Sequence, residues 1–152
     1  MARVADAAAA LGLSIELKVM DQSTRTAEDA ARACGCDVGQ IVKSLVFENA
    51  ENGALVLLLV SGRHNADLIY ISNQYGLDLK RCDGRRVRDE TGFAIGGVAP
   101  IGHLAPIPVH MDAVLLDYDL VWAAAGRPDT VFQVSSTALQ RATDASKLTM
   151  CA

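Results

Sequence analysis

An α+β fold, with a mixed, mostly antiparallel and partly closed sheet and helices packed outside it, is what this sequence predicts from three observations. Candidate strands arrive singly and in hairpins among short helices, which is the pattern of a mixed sheet rather than of repeated strand–helix–strand units. Two strands, residues 39–47 and 54–61, are joined across Asn52-Gly53, the strongest short hairpin signal in the chain, and are largely apolar on both faces, which makes them the centre of the sheet. Hydrophobic residues make up 51% of the 152 and charged residues 21%, enough for a substantial core, so residues 1–152 are expected to form one domain.

The elements follow in order. Residues 3–11 read as an alanine-rich helix ended by Gly12, and residues 14–19 alternate as a first strand. After a polar turn, Thr26-Ala27-Glu28-Asp29 resembles a capping box, and it opens a helix with a stripe of small residues, Ala27, Ala30, Ala31 and Cys34, that Gly35 can end in the left-handed conformation. A short turn through residues 37–40 delivers the strand containing Lys43, and residues 54–61 return beside it. Asn65 or His64 is the expected cap of a helix to about Tyr75 with Ala66, Ile69 and Tyr70 inward, followed by an extended piece at 78–81 and a short helix at 85–91 closed by Gly92. Residues 108–111 and 120–124 form strands separated by a helical turn at 112–116. Residues 131–134 pair back across the turn at 126–129, and Ser135 or Ser136 caps a last helix to about Thr143. Neither a repeat nor a linker interrupts this order.

Composition removes several function classes. The formal net charge is −4 and the pI about 5.2, so any polyanion must meet a local patch rather than the protein at large. The longest apolar run is strand-length and the N-terminus lacks a basic-then-apolar leader, which predicts a cytoplasmic protein with no membrane partner. Cys34, Cys36, Cys82 and Cys151 are expected as free thiols. Cys34-Gly35-Cys36 is too closely spaced for a zinc knuckle, and no metal or cofactor is called for.

Three segments carry candidate chemistry. On a regular strand Ile41, Lys43, Leu45 and Phe47 share one face and Val42, Ser44 and Val46 the other, so Lys43 places an ammonium in an interior strand. Such a charge is costly unless it is paired, reaches a water-filled cleft or meets a polar ligand; the residues alone leave a lysine snorkelling to the rim equally open. The run Phe93-Ala94-Ile95-Gly96-Gly97-Val98-Ala99-Pro100-Ile101-Gly102-His103 is a glycine loop able to turn N–H groups toward one point, as a nest for an oxyanion, carboxylate or phosphate, or else it is a tight exposed turn. Its spacing is neither a dinucleotide fingerprint nor a P-loop. Lys80, Arg81, Arg85, Arg86 and Arg88 fall within nine positions, forming either a phosphate-binding patch or a solvated helix face balanced by Asp83, Asp89 and Glu90.

The segments at 26–31, 39–47, 91–103 and Val121-Trp122-Ala123-Ala124-Ala125-Gly126 together resemble the YbaK/ProX-like family of free-standing aminoacyl-tRNA deacylases, relatives of the editing insertion domain of bacterial prolyl-tRNA synthetase. The match keeps the order and spacing of these segments over nearly the whole chain. The resemblance implies a partly barrel-like sheet and hydrolysis of the ester between a wrong amino acid and the terminal adenosine of tRNA. It also implies that a ribose hydroxyl of the substrate positions the attacking water. The family's lysine falls on Lys43, and its glycine-proline loop on Gly96, Gly97, Val98, Ala99 and Pro100. Some members carry a small polar residue or histidine near Ala124; alanine stands there in this chain, which bears on the amino acid accepted.

On this basis Lys43 is the expected catalytic residue, and Ser44, Gly96, Gly97, Val98, Ala99, Pro100, His103 and Gly126 are expected to bind substrate. Lys80, Arg81, Arg85, Arg86 and Arg88 are expected at tRNA phosphates. No Ser-His-Asp arrangement is evident around His64, His103 and His110, so no covalent acyl-enzyme is expected. The expected function is a trans-acting deacylase for tRNA mischarged with a small amino acid, with aminoacyl-tRNA as substrate and an aminoacyl-tRNA synthetase as a candidate partner. The alternative is a non-catalytic module that binds an amino acid or aminoacyl-tRNA and acts with a synthetase. A thiol redox protein using Cys34 and Cys36 is a third reading, weakened because Cys34 falls on the packing face of its helix.

Overall fold

The computed structural model describes residues 2–20, 26–127 and 129–152; the polar turn expected before Thr26 and Pro128 of the 126–129 turn lie outside them. Among the described residues five α-helices surround one eight-stranded mixed sheet. The helices are α1 (Ala2–Ala10), α2 (Ala27–Cys34), α3 (Leu68–Tyr75), α4 (Gly84–Thr91) and α5 (Ser136–Thr143). The strands are β1 (Glu16–Val19), β2 (Ile41–Asn49), β3 (Leu55–Ser61), β4 (Leu79–Arg81), β5 (Val109–Asp112), β6 (Leu120–Arg127), β7 (Thr130–Ser135) and β8 (Ser146–Leu148). The order is β1-β7-β6-β2-β3-β5-β8, with β4 on β2, so β2 and β3 are central as expected. Four of the seven pairings are antiparallel, and β2–β6, β3–β5 and β5–β8 are parallel.

Local chemistry sets the helix ends. The Thr26 hydroxyl accepts from the Asp29 N–H and Gly35 ends α2 at φ 67°, each satisfying a group that the helix leaves orphaned. Asp83 and Gly92 do the same for α4, and Ser135 caps α5. The third helix departs from expectation. Its cap is Asp67, whose carboxylate accepts from Tyr70 N–H, and it is Ile71, fully buried, that packs inward, while Ile69 is 76% exposed. Ala66 and Tyr70 do pack inward. Strand β8 was not foreseen: three residues carry no alternation, and only the parallel partner β5 makes them a strand.

Strand β3 is buried at every position because the sheet has a core on each face. Leu57 and Leu59 join Val42, Val87, Val98, Phe132 and Leu139 on one side, whereas Val56, Leu58 and Val60 join Ile71 and Met150 on the other. A third cluster, Met20, Ala30, Ala31, Ile41, Trp122 and Val131, lies under α2, whose small stripe allows the close approach. Among the glycines, backbone comes closest at Gly62, where an added Cβ would stand 2.5 Å from the Val38 carbonyl oxygen and 2.8 Å from Ala27 Cβ. Backbone on one side cannot swing away. Gly62→Ala is therefore expected to destabilise the fold by about 2 kcal/mol, seen as a lowered urea midpoint at unchanged slope; an unchanged midpoint would mean that β3 and α2 separate easily.

Candidate functional site

Strand β2 is covered unevenly, and this creates the site. On one edge β3 pairs it from Val42 to Glu48. On the other edge β6 pairs only Ile41 and Val42, and β4 only Phe47 to Asn49, so residues 43–46 face a gap. A cavity of about 590 Å³ occupies that gap, walled by Ile41–Phe47, by Trp122, Ala123, Ala124 and Arg127 of β6, by Arg81 and Cys82, by Thr26, Ala27 and Ala30 at α2, and by Ile95, Gly96 and Val98 of the glycine loop.

Lys43 stands where the apolar face of β2 is interrupted. Ile41 packs in the cluster under α2, and Leu45 and Phe47 pack toward α3, so Lys43 falls between two cores. Its Nζ donates to the main-chain carbonyl of His64. Partial burial holds its pKa below the ordinary lysine value, and the charges of Glu28 and Asp112 oppose that shift. The His64 loop is itself tied down: its Nδ1 lies 2.9 Å from Asp112 Oδ2, which also accepts from the Ser61 N–H at 3.1 Å, while Oδ1 accepts from Val114 N–H at 3.2 Å. Asp112 is 1% exposed. This support was not read from the sequence, where 48 positions separate His64 from Asp112 without any motif joining them. The one available signal was an aspartate ending a strand before a helical turn, which suits an N-cap.

The glycine loop reaches the cavity through Ile95, Gly96 and Val98, while Gly97, Ala99, Pro100 and His103 do not line it. Gly96 adopts φ 93°, which a side chain would resist. Gly97 packs against the irregularity of β6, where an added Cβ would lie 3.3 Å from the Gly126 carbonyl oxygen, and its N–H donates to Ala94 at 3.0 Å. Of the expected nest, Gly97 is thus engaged inside the loop, and no hydrogen bond occupies the N–H of Gly96 or Val98 among the described residues. His103 braces the loop from within: Nε2 is 2.7 Å from the Ala99 carbonyl oxygen and the ring meets Phe93 edge-on. Burial lowers its pKa, which favours the neutral ring. Gly126 is beside the loop rather than in the wall, and Ser44 lines the wall with its hydroxyl buried and without a hydrogen-bond partner among the described residues.

The basic segment divides in two. Lys80 lies 2.9 Å from Glu48, and Arg86 bonds Glu48, Glu90 and the Gly53 carbonyl, tying α4 to β2 and to the β2–β3 turn. Arg85 and Arg88 are exposed on α4 and Arg81 is exposed at the cavity, none in an ion pair among the described residues. Arg127, not singled out beforehand, joins Arg81 at the wall.

Among the described residues no cluster of three or more His, Cys, Asp or Glu is arranged to hold a metal, and no helix is long and apolar enough to cross a membrane. All four cysteines are free. Burial raises Cys34 and pushes Cys36 up to about 11, so neither thiol is poised for redox exchange at neutral pH.

Residues 21–142 match the aminoacyl-tRNA editing domain family. The chain is 41% identical to a solved structure described as a candidate trans-editing enzyme for prolyl-tRNA synthetase, at a TM-score of 0.91 over 99% of this chain and 96% of that one. It is 39% identical to a chain solved in work on epitope backbone grafting onto scaffold proteins, at a TM-score of 0.90 over the same shares. YwhH, an uncharacterized protein of Bacillus subtilis, is 27% identical over 115 residues, 76% of this chain and 73% of that protein.

Proposed function

Because the chain belongs to the aminoacyl-tRNA editing domain family, we propose that it is a trans-acting deacylase that hydrolyses the ester of tRNA mischarged with a small amino acid. The observation that carries this reading is Lys43, an ammonium in the wall of a mostly apolar cavity that it shares with Gly96 and Val98. Ester hydrolysis passes through a tetrahedral oxyanion, and donors set in advance around that oxyanion are commonly the largest catalytic contribution. Lys43 and the loop N–H groups serve as those donors, and Ser44 and the loop confine the amino acid. Neither a carboxylate nor an imidazole is among the described wall residues, so the chain offers no general base there. Activation of water by a ribose hydroxyl of the substrate is consistent with that lack.

The small-substrate reading is supported by Val42, Val46, Val98 and Ala123 in the wall. The test is a panel of tRNAs mischarged with alanine, serine, threonine, cysteine and larger residues. Release of the small amino acids with intact tRNA is expected. Tight binding without release would favour a non-catalytic module acting with a synthetase, and the likeness to the candidate trans-editing protein makes prolyl-tRNA synthetase the partner to assay first.

Acceptor-stem phosphates are assigned to Arg81, Arg85 and Arg88, with Lys80 and Arg86 contributing mainly through the position of α4. Arg85→Glu with Arg88→Glu should lower tRNA affinity at low salt and reduce the salt slope of log K by about two. An unchanged slope would remove α4 from the interface.

A further inference from the structure

The gap along β2 presents main-chain groups as well as side chains. In its ladder with β3, the Gly62 N–H donates to the Ile41 carbonyl and the Asn49 N–H to the Ala54 carbonyl, so the odd-numbered residues of β2 direct their peptide groups toward β3. The even-numbered ones point the other way. Val42 is paired there by β6 and Glu48 by β4, which leaves Ser44 and Val46 without a strand partner. The cavity wall thus contains a short unpaired β-edge, closed at both ends, about 13 Å long at 3.4 Å per residue. An extended peptide has no room to run past these ends. A stretch of up to about four residues fits, and a single residue fits opposite Ser44.

We propose that the aminoacyl group docks on Ser44 as one residue of an antiparallel ladder pairs with another. Its α-amino group donates to the Ser44 carbonyl, and its own carbonyl oxygen accepts from the Ser44 N–H beside Lys43. An amino acid in extended conformation presents its N–H and C=O on the same edge, which is the pairing that such an edge accepts. The charge around the cavity supports the same assignment. Its described wall holds three cations, Lys43, Arg81 and Arg127, of which Arg127 lies 3.7 Å from Asp129 and Lys43 feels the charges of Glu28 and Asp112; no carboxylate lines the wall itself, so the amine finds its acceptor on hydroxyls or main-chain carbonyls. With an ordinary α-amino pKa of about 8 it can shed its proton in that field and donate as a neutral amine. Recognition through backbone leaves side-chain identity to the walls, and it selects acyl groups that carry an α-N–H over those that lack nitrogen.

This inference rests on the deacylase reading and is tested separately from it. Three esters of one tRNA are compared: the fastest amino acid of the panel, its N-acetyl derivative and the acyl isostere lacking nitrogen, each rate divided by its uncatalysed rate. The proposal expects at least a tenfold loss with the isostere and a smaller loss with the N-acetyl ester, whose amide N–H still donates to the Ser44 carbonyl. Equal ratios for all three would overturn the docking alone, and no turnover of any would overturn the deacylase reading with it. Amide hydrogen exchange supplies a second readout, using a 3′-amide-linked aminoacyl-adenosine that cannot be hydrolysed. With that compound bound, the Ser44 N–H should exchange at least tenfold more slowly; an unchanged Ser44 rate would likewise overturn the proposal.

Discussion

Lys43→Ala is expected to lower single-turnover deacylation by a factor of about 100 to 1,000, the size of losing one preorganised oxyanion donor, while the protein stays folded. The two halves have separate causes. Catalysis is lost because the ammonium is the charged donor of β2 at the cavity. Stability is kept because the partly buried ammonium is disfavoured in the folded chain, as its lowered pKa records. That penalty is present at neutral pH and lifts as pH rises through the lowered value, so removing the group takes away a cost along with one hydrogen bond. The same sign sets the pH profile of the wild type. The ratio of enzymatic to uncatalysed hydrolysis should be level while Lys43 is protonated and fall as pH rises through a pKa below that of free lysine. Undiminished turnover by Lys43→Ala, or a ratio level to the ordinary lysine value, would remove Lys43 from the reaction.

Asp112→Ala should do the reverse, costing about 3 kcal/mol of stability before any effect on chemistry is measured. Its carboxylate accepts from Ser61 N–H and Val114 N–H and holds the His64 ring, all with the side chain 1% exposed. Alanine leaves the two N–H groups without an acceptor where water is excluded, and each such orphan costs about 1 to 3 kcal/mol. The His64 carbonyl that receives Lys43 sits on the loop thus released, so the folded fraction should also turn over more slowly than wild type. Urea unfolding read beside single-turnover rates separates the two effects. A midpoint equal to that of the wild type would show that the carboxylate is dispensable to the fold.

The parts legible in advance were those set by neighbours in the chain. Thr26, Gly35, Gly92 and Ser135 end their helices where they were expected to, because a cap is a hydrogen bond or a φ angle decided within about four residues. The pairing of β2 with β3 across Asn52-Gly53, and the placing of Lys43 on an interior strand, follow from a turn and a period of two. The third helix was misread because its cap lies at Asp67 rather than at His64 or Asn65, and its inward face is set by packing of Ile71 against Val56, Leu58, Val60 and Met150. Ile69 is exposed for that reason.

What lay beyond the sequence was every relation across long separations. Arg86 reads as one of five clustered cations, yet only the folded chain brings Glu48 and the Gly53 carbonyl to it and makes it a tie between elements. The sequence by itself determined which groups carry charge or freedom, an ammonium on a buried strand and glycines in a loop, because residue type and strand period decide those. Only the tertiary structure decided that they share a cavity, that Asp112 and His64 stand behind the lysine, and that β6 and β4 leave the edge of Ser44 opposite β3 unpaired. Those facts depend on which strands lie side by side, and strand partners are chosen by packing over the whole sheet rather than by any local run of residues.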